Sequence, residues 1–319
     1  MNVGYIGSSE ISDFHITALQ ENDFKISAIG TTYNSKKCKL IAEKYGLGTQ
    51  FCKNGWQEVL NYDLDAYLIC TSVNSTLKIL EKALETGKPI FVEKPMSYDL
   101  NSLKRICSHK NIDKIFVGYN RRFYETTNKL KDLCSNAKGG TIVVNIPDSS
   151  IGIESFIGNG CHMIDLLRYL IGEFEIINSI FKENYKKDDM QYFTALCKND
   201  KWIISINAHS LLPANFSISV NSDKNVFELK PIEKLNIYEG MDIIEPSQED
   251  PIRQYVPKLK LSLKEDCKFK PGFNLMYKNF KYFIKNEDSN YCSFNDAYKT
   301  LRYCWEFIDS EISRDFIFK

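Results

Sequence analysis

The chain has 319 residues, 43% hydrophobic and 26% charged, the composition of a globular protein long enough for two domains. Lys+Arg and Asp+Glu stand at 41 each, so no basic excess points to nucleic acid or an anionic membrane. No apolar run approaches the roughly 18 residues that span a bilayer, and no charged-then-apolar leader opens the chain. The 10 cysteines include no C-x-x-C pair, which argues against a zinc or thioredoxin motif and for reduced thiols in a cytoplasm. No metal site is expected.

In chain order, Val3-Gly4-Tyr5-Ile6-Gly7 is a short apolar strand that runs into Ile11, Phe14, Ala18 and Leu19 at helical spacing. A strand at Phe24 to Ile29 and a helix from about Ser35 to Tyr45 follow. Ala66 to Cys70 is a third strand, leading to a helix over Leu77, Leu80, Ala83 and Leu84 that Gly87-Lys88-Pro89 stops. Ile90-Phe91-Val92 and Ile115-Phe116-Val117 complete the series, with one more helix between them. Strands alternating with helices predict a doubly wound, Rossmann-like parallel sheet over residues 1–119. Right-handed crossovers place the loops after its strands at one edge, where ligands bind.

Beyond Gly118 the pattern changes. A helix from Phe123 to Leu133 leads to the strand Thr141 to Val144, then to a helix over Met163, Ile164, Leu166, Leu167 and Leu170. Runs at Ile176 to Phe181, Tyr192 to Cys197, Trp202 to Ala208, Phe216 to Val220 and Val226 to Leu229 follow without intervening helices. They predict a mostly antiparallel sheet, hence an α+β domain over residues 120–319. Met241 to Pro271 has weak periodicity and reads as a long loop, and helices at Phe273 to Ile284 and Phe294 to Ile312 close the chain.

The stretch Phe91-Val92-Glu93-Lys94-Pro95-Met96-Ser97 brings a lysine to a strand's C-terminal edge. Pro95 restricts Lys94 to extended or turn geometry, and the bond between them can be cis. At the first strand-turn-helix, Gly7 holds the first position of a dinucleotide fingerprint, but Ser9 and Ser12 occupy the second and third. After the second strand, where an acidic residue would bind the ribose of NAD, the sequence reads Gly30-Thr31-Thr32-Tyr33-Asn34-Ser35-Lys36-Lys37. Hydroxyls followed by lysines suit a 2′-phosphate, so NADP is favoured modestly over NAD. A solvated first turn of helix explains the two lysines equally well.

Gly4-Tyr5-Ile6-Gly7, the helix at His15 to Leu19, Asp65 to Thr71, Val92-Glu93-Lys94-Pro95, Gly118-Tyr119-Asn120-Arg121-Arg122-Phe123 and Gly160-Cys161-His162-Met163-Ile164-Asp165 occur in that order. This ordered set resembles the Gfo/Idh/MocA family of nicotinamide-dependent oxidoreductases over essentially the whole chain. The resemblance implies a Rossmann domain, an α+β domain with an open sheet, and a homodimer or homotetramer formed through that sheet. It also implies NAD(P)-linked hydride transfer at carbinol or carbonyl carbons of sugars and their derivatives. Carried over by position, Lys94 falls on the catalytic lysine, His162 on the active-site histidine, and Asp165 on the acidic residue one turn beyond. Gly158 stands where the family often has an aspartate, and Thr76 where it often has a histidine.

Hydride transfer needs a group to exchange the hydroxyl proton and donors to polarise the carbonyl. Lys94 can supply both; its bland alternative is a turn lysine paired with Glu93. His162 lies near a helix start that Asn159 or Gly160 would cap, where a positive helix end disfavours imidazolium; a satisfied core histidine is the alternative. His162, Asp165 and Tyr169 share a face by spacing, and Asp165 orients His162 or pairs with Arg168. Candidate cofactor contacts are Gly7, Ser8, Ser9, Ile11, Thr31, Thr32, Lys36, Thr71, Ser72, Asn74, Glu93, Lys94, Pro95 and Arg122. Candidate substrate contacts are Asn120, Arg121, Asn159 and Asp165, with an interdomain ion pair the rival for the arginines. His15, His109 and His209 carry no supporting pattern and take structural or surface roles. The leading expectation is a sugar oxidoreductase, its substrate an anionic or nucleotide-linked sugar by guess; the rival is a catalytically degenerate dinucleotide- or sugar-binding sensor or scaffold.

Overall fold

The computed structural model describes residues 1–48, 54–148, 152–183 and 190–312. They form two compact units: Met1–Phe123 with Cys267–Arg302, and Tyr124–Asp266 with the chain from Tyr303 onward.

The first unit opens as a run of strands and helices: β1 (Asn2–Gly7), α1 (Ser12–Glu21), β2 (Lys25–Gly30), α2 (Lys36–Lys44) and α3 (Trp56–Leu60). It continues through β3 (Ala66–Cys70), α4 (Val73–Leu84), β4 (Ile90–Val92), α5 (Leu100–Lys104) and β5 (Ile115–Val117). β1 pairs parallel with β2 and β3, and β4 pairs parallel with β3 and β5. All five residues of β3 are buried, as a strand covered on both faces requires, which is why its sequence is apolar without alternation. The short α3 has no periodicity to announce it and lies outside the sequence expectation.

The second unit contains α6 (Glu125–Asn136), β6 (Gly140–Asp148), α7 (Ile153–Ser155) and α8 (Cys161–Ile171). Seven strands follow: β7 (Glu175–Glu183), β8 (Met190–Lys198), β9 (Trp202–Ser210), β10 (Ser217–Ser222), β11 (Asn225–Leu229), β12 (Lys234–Ile244) and β13 (Gln254–Lys264). Their sheet runs β13-β12-β11-β10-β6-β9-β8-β7, antiparallel except for the parallel pair β6–β9. Phe193, Ala195, Cys197, Ile204 and Ile206 are buried on one face, whereas Tyr192, Leu196 and Ile203 are exposed on the other. On the exposed face Thr194 Oγ1 donates to Asn207 Oδ1 (3.0 Å) and Asn145 Nδ2 to Ser217 Oγ (3.0 Å).

The expected loop from Met241 to Pro271 contains the end of β12 and the whole of β13. β12 and β13 pair antiparallel from Lys234↔Lys264 to Ile244↔Gln254. Residues 239–244 and 254–262 are exposed on both faces, so no core-facing alternation betrays them in the sequence. Pro257 is tolerated because β13 is an edge strand.

The chain then returns to the first unit with α9 (Phe273–Ile284), β14 (Cys292–Ser293) and the start of α10 (Phe294–Ile312). The sequence reading assigned this segment to the second domain. Packing assigns it otherwise, because Tyr277 and Phe280 of α9 cover the aromatic residues of β4 and β5. Phe91 stacks on Phe116 at 5.7 Å and meets Tyr277 at 5.2 Å, while Phe280 stands edge-on to Phe116 at 5.4 Å. Each such buried ring contributes roughly 1.5–3 kcal/mol through burial. β14 adds an antiparallel edge, giving the order β14-β5-β4-β3-β1-β2. Among the described residues no helix is long and apolar enough to cross a membrane.

Candidate functional site

The parallel sheet brings the ends of β1, β2 and β3 to one edge, around a cavity of about 440 Å³. Gly7 ends β1 so close to β3 that a Cβ there would stand 2.4 Å from the Cys70 carbonyl oxygen. The next residues, Ser8 and Ser9, line the cavity. Ser12, at the third fingerprint position, is fully buried at the start of α1, where its small side chain keeps helix and strand close. Thr71, Ser72 and Asn74 bring hydroxyls and an amide from the β3–α4 turn. Thr76 is buried among them, donating to the Ser72 carbonyl at 3.1 Å and lying 3.2 Å from Thr71 Oγ1.

At the end of β2, Thr31 and Thr32 line the same cavity. Ser35 caps α2 by accepting from the Cys38 N–H at 3.2 Å. The lysine lining the cavity from this turn is Lys37; Lys36, the candidate named from sequence, is not among the lining residues. Trp56 and Lys78 also line it and escaped the sequence reading. Trp56 is held by its backbone N–H donating to the Thr31 carbonyl at 2.6 Å, a placement only the folded chain creates. Hydroxyl and amide donors, two lysines and an indole ring suit the phosphates, ribose and adenine of a dinucleotide. No carboxylate lines the cavity among the described residues.

Lys94 follows β4, the next strand, and is half-buried with a cis bond to Pro95. Pro95 is buried beside it, and Ile11 is half-buried ahead of α1; neither is among the cavity-lining residues. Glu93 turns away from that cavity into the core. Its Oε1 lies 3.2 Å from His15 Nε2, and its Oε2 accepts the Lys94 N–H at 3.1 Å. His15 is fully buried, with Nδ1 2.6 Å from the Tyr277 hydroxyl. Gly118 makes room, because a Cβ there would come within 2.8 Å of Glu93 Oε1 and of Phe91. His15 is thus a structural support for the lysine's loop.

After β5, Asn120, Arg121 and Arg122 take separate directions. Asn120 is buried and donates to the Pro271 carbonyl at 3.1 Å. Arg122 is buried and pairs with Asp296 at 3.3 Å, so its ion pair lies inside the first unit rather than between domains. Arg121 is half-buried, and the Lys270 ammonium lies 4.8 Å from the Phe14 ring centroid and 5.6 Å from that of Phe273. Burial pushes the Lys270 amine down from its usual range; Glu93 opposes that shift, and Lys94 and Arg121 add to it. Burial likewise pushes the Tyr5 and Tyr277 hydroxyls and the Cys70 thiol well up.

In the second unit, His162 and Asp165 are both buried on α8. The expected helix start at Asn159 or Gly160 is corrected. Residues Phe156–Gly160 form a π-helical turn continuous with α7 and α8, and Gly160 is itself helical. His162 therefore lies inside a helical run, and the argument from a positive helix end does not apply to it. Asn159 instead points its amide at the buried Asp148, 3.3 Å from each carboxylate oxygen, and Ser155 Oγ donates to Asp148 at 2.8 Å. Asp148 went unremarked in the sequence because β6 ends well before the helix it faces. Arg168 pairs with Glu173. Tyr169 donates to Asn128 on α6 at 2.8 Å and lies under the Lys131 ammonium at 3.6 Å.

A family model described as an oxidoreductase family with an NAD-binding Rossmann fold, Gfo/Idh/MocA, matches residues 1–119. A myo-inositol 2-dehydrogenase of Thermotoga maritima is 28% identical over 186 residues, covering 54% of this chain and 55% of the relative. The match thus spans about half the length of that curated relative. Two solved structures share the fold over nearly the full chain. A dehydrogenase (MviM) from Clostridium difficile has a TM-score of 0.79 at 18% identity, covering 97% of this chain and 99% of the other. The WlbA dehydrogenase from Bordetella pertussis, in complex with NADH and UDP-GlcNAcA, has a TM-score of 0.76 at 16% identity, covering 98% and 96%. Over residues 1–119 the chain is similar to the Gfo/Idh/MocA oxidoreductase family, whose model describes an NAD-binding Rossmann fold.

Proposed function

We propose that the protein is an NAD(P)-dependent oxidoreductase that oxidises a carbinol, or reduces a carbonyl, of a sugar or sugar derivative. The observation that carries this reading is the arrangement at one sheet edge: a donor-lined cavity at the ends of β1–β3, with Lys94 at the end of the adjoining β4. Ser8, Ser9, Thr71, Ser72 and Asn74 would hold the cofactor's phosphates and ribose, and Trp56 its adenine. The bound nicotinamide supplies the hydride acceptor or donor. Lys94 Nζ takes the hydroxyl proton as the carbinol carbon loses hydride, and returns it in the reverse direction. His162 is assigned the second acid/base role and Asp165 a substrate contact. The aspartate absent at Gly158 motivates a binding-only rival, in which the chain holds ligands without turnover.

NADP is the preferred form in this reading, because Lys37 and Lys78 line the cavity and no carboxylate does among the described residues. The protein is further proposed to associate with a second copy through the exposed sheet face that carries Tyr192, Leu196 and Ile203, with exposures of 41%, 42% and 57%. Sedimentation of the wild type and of Ile203→Lys tests that association.

The test of the reaction is Lys94→Ala. Turnover on a panel of sugars and cyclitols should fall by at least a thousandfold, with NADPH affinity by fluorescence titration unchanged. Undiminished turnover refutes the role of Lys94, and wild-type cofactor binding with no turnover on any substrate favours the binding-only rival.

A further inference from the structure

The hairpin of β12 and β13 runs on past the sheet that carries it. β11 ends at Asn225, opposite Glu239, so Met241 to Ile244 and their partners Gln254 to Pro257 form an arm with no third strand among the described residues. Every residue from 239 to 262 is exposed. A two-stranded hairpin left bare in water is marginally stable, and one with an apolar face gains most from a cover. This arm has such a face. Met241 stands opposite Pro257 and Ile243 opposite Tyr255, with Leu259 next on the same side by alternation. Met241, Ile243, Tyr255 and Leu259 are each more than half exposed. The other face carries the Asp242–Lys258 ion pair at 3.6 Å. Glu245 pairs with Arg253 at 2.8 Å and Glu239 with Lys260, so charges are matched within the arm and its offer to a partner is apolar surface.

The pairing register fixes which way that face looks. Ile203, Thr141, Asn221, Val226, Tyr238 and Leu259 stand opposite one another in turn across β9, β6, β10, β11, β12 and β13. Residues directly opposite share a face, as the Asn221 amide donating to Thr141 Oγ1 at 3.2 Å confirms. The apolar face of the arm therefore lies on the same side as Tyr192, Leu196 and Ile203, which sit near the other edge. In the order β12-β11-β10-β6-β9-β8 the two are five strand spacings apart, roughly 24 Å, so the arm cannot fold over the patch of its own sheet.

We propose that the arm clasps a second copy of this chain, its apolar face lying over the β7–β9 face of the other copy, whose arm does the same in return. This deepens the association proposed above and rests on it. Four side chains on the arm and three on the patch offer on the order of 100 Å² each, about 700 Å² per copy, close to the roughly 800 Å² that a stable interface takes from each partner. Like surfaces meet in a two-fold pairing, and the internally matched charges of the arm leave it no like-charge repulsion to overcome. Pro257, which has no N–H, and Lys258 and Lys260 guard the edge of β13 against strand addition, so the arm joins by its face.

The experiment is sedimentation velocity of the wild type, Ile243→Lys, Tyr255→Phe and Ile203→Lys, joined to amine-reactive crosslinking of mixed isotopically light and heavy protein. The wild type should sediment as an oligomer. Ile243→Lys should weaken association at least tenfold, because it forces a charge into an apolar contact, and Tyr255→Phe should keep it. Crosslinks between light and heavy copies should join Lys258 or Lys260 to Lys198 on β8. An Ile243→Lys protein that associates like the wild type overturns the clasp; if Ile203→Lys still dissociates, the sheet-face association stands without it. Crosslinks between copies that join arm only to arm also overturn the clasp. A wild type that stays monomeric at every concentration overturns both readings. Ile243 is exposed, so Ile243→Lys should fold with an unchanged circular dichroism spectrum; if it does not, Met241→Lys on the same face supplies the comparison.

Discussion

His15 Nε2 lies 3.2 Å from Glu93 Oε1, which sets a buried imidazole against the carboxylate next to Lys94. The imidazole is fully buried, its other nitrogen 2.6 Å from the Tyr277 hydroxyl, and Glu93 passes the restraint on through the Lys94 N–H at 3.1 Å. One residue of α1 and one of α9 thereby hold the end of β4. His15→Ala removes a buried ring and both of its contacts, and should cost about 2–4 kcal/mol. Urea unfolding checks this; a variant with the wild-type midpoint would show that the contact carries no stability.

Gly118 lies on the other side of the same carboxylate. In Gly118→Ala the new methyl would meet Glu93 Oε1 and Phe91 at 2.8 Å, both held by core packing. The expected cost is about 1–3 kcal/mol, from forcing a packed carboxylate and ring aside. Thermal unfolding measures the loss. A fall in kcat without a matching change in KM for the cofactor would register the displaced Lys94 loop.

Lys37 provides the cofactor test. Removing a lysine from a phosphate forfeits a charge-assisted contact worth about 1.5–3 kcal/mol, a tenfold or larger change in affinity. Lys37→Ala should raise KM for NADPH at least tenfold and leave KM for NADH within about twofold. Equal losses for both nucleotides would place the lysine on a group that both share.

The buried thiols make stability depend on alkaline pH in a fixed direction. Burial pushes Cys134 and Cys197 up to about 12 from the ordinary 9.0. Above pH 9 the unfolded chain releases these protons while the folded one keeps them, so stability must fall as pH rises from about 9 toward 12. The slope is up to roughly 1.4 kcal/mol per pH unit for each such group. The urea midpoint should drop across that window. Thiol titration of the folded protein at pH 8 should modify the exposed Cys107 and Cys267 first, and reach Cys134 and Cys197 only on unfolding.

The first sheet was legible because its strands are buried on both faces and its helices are amphipathic: Ala66 to Cys70 and Leu77 to Leu84 announce themselves by composition and spacing. Lys94, Ser8, Ser9, Thr31, Thr32, Thr71, Ser72 and Asn74 were legible for a related reason. They follow strands, and a parallel sheet with right-handed crossovers sends every such residue to one edge. The β12–β13 hairpin was not legible, because strands exposed on both faces lose the alternation by which strands are recognised.

The sequence by itself therefore determined the alternation of strands and helices in the parallel sheet, the edge at which its strands end, and the lysine at that edge, since local periodicity and chain direction decide all three. Only the tertiary structure decided the surroundings of that lysine. Nothing in the local pattern says that His15 would meet Glu93, 78 positions on in the chain, or that α9 would return to cover β4 and β5. The same holds for Asn120 reaching the Pro271 carbonyl, and for Asn159 turning to Asp148. Those contacts join residues far apart in the chain, and they form where burying aromatic surface and satisfying buried polar groups outweighs the entropy of closing the loops between them.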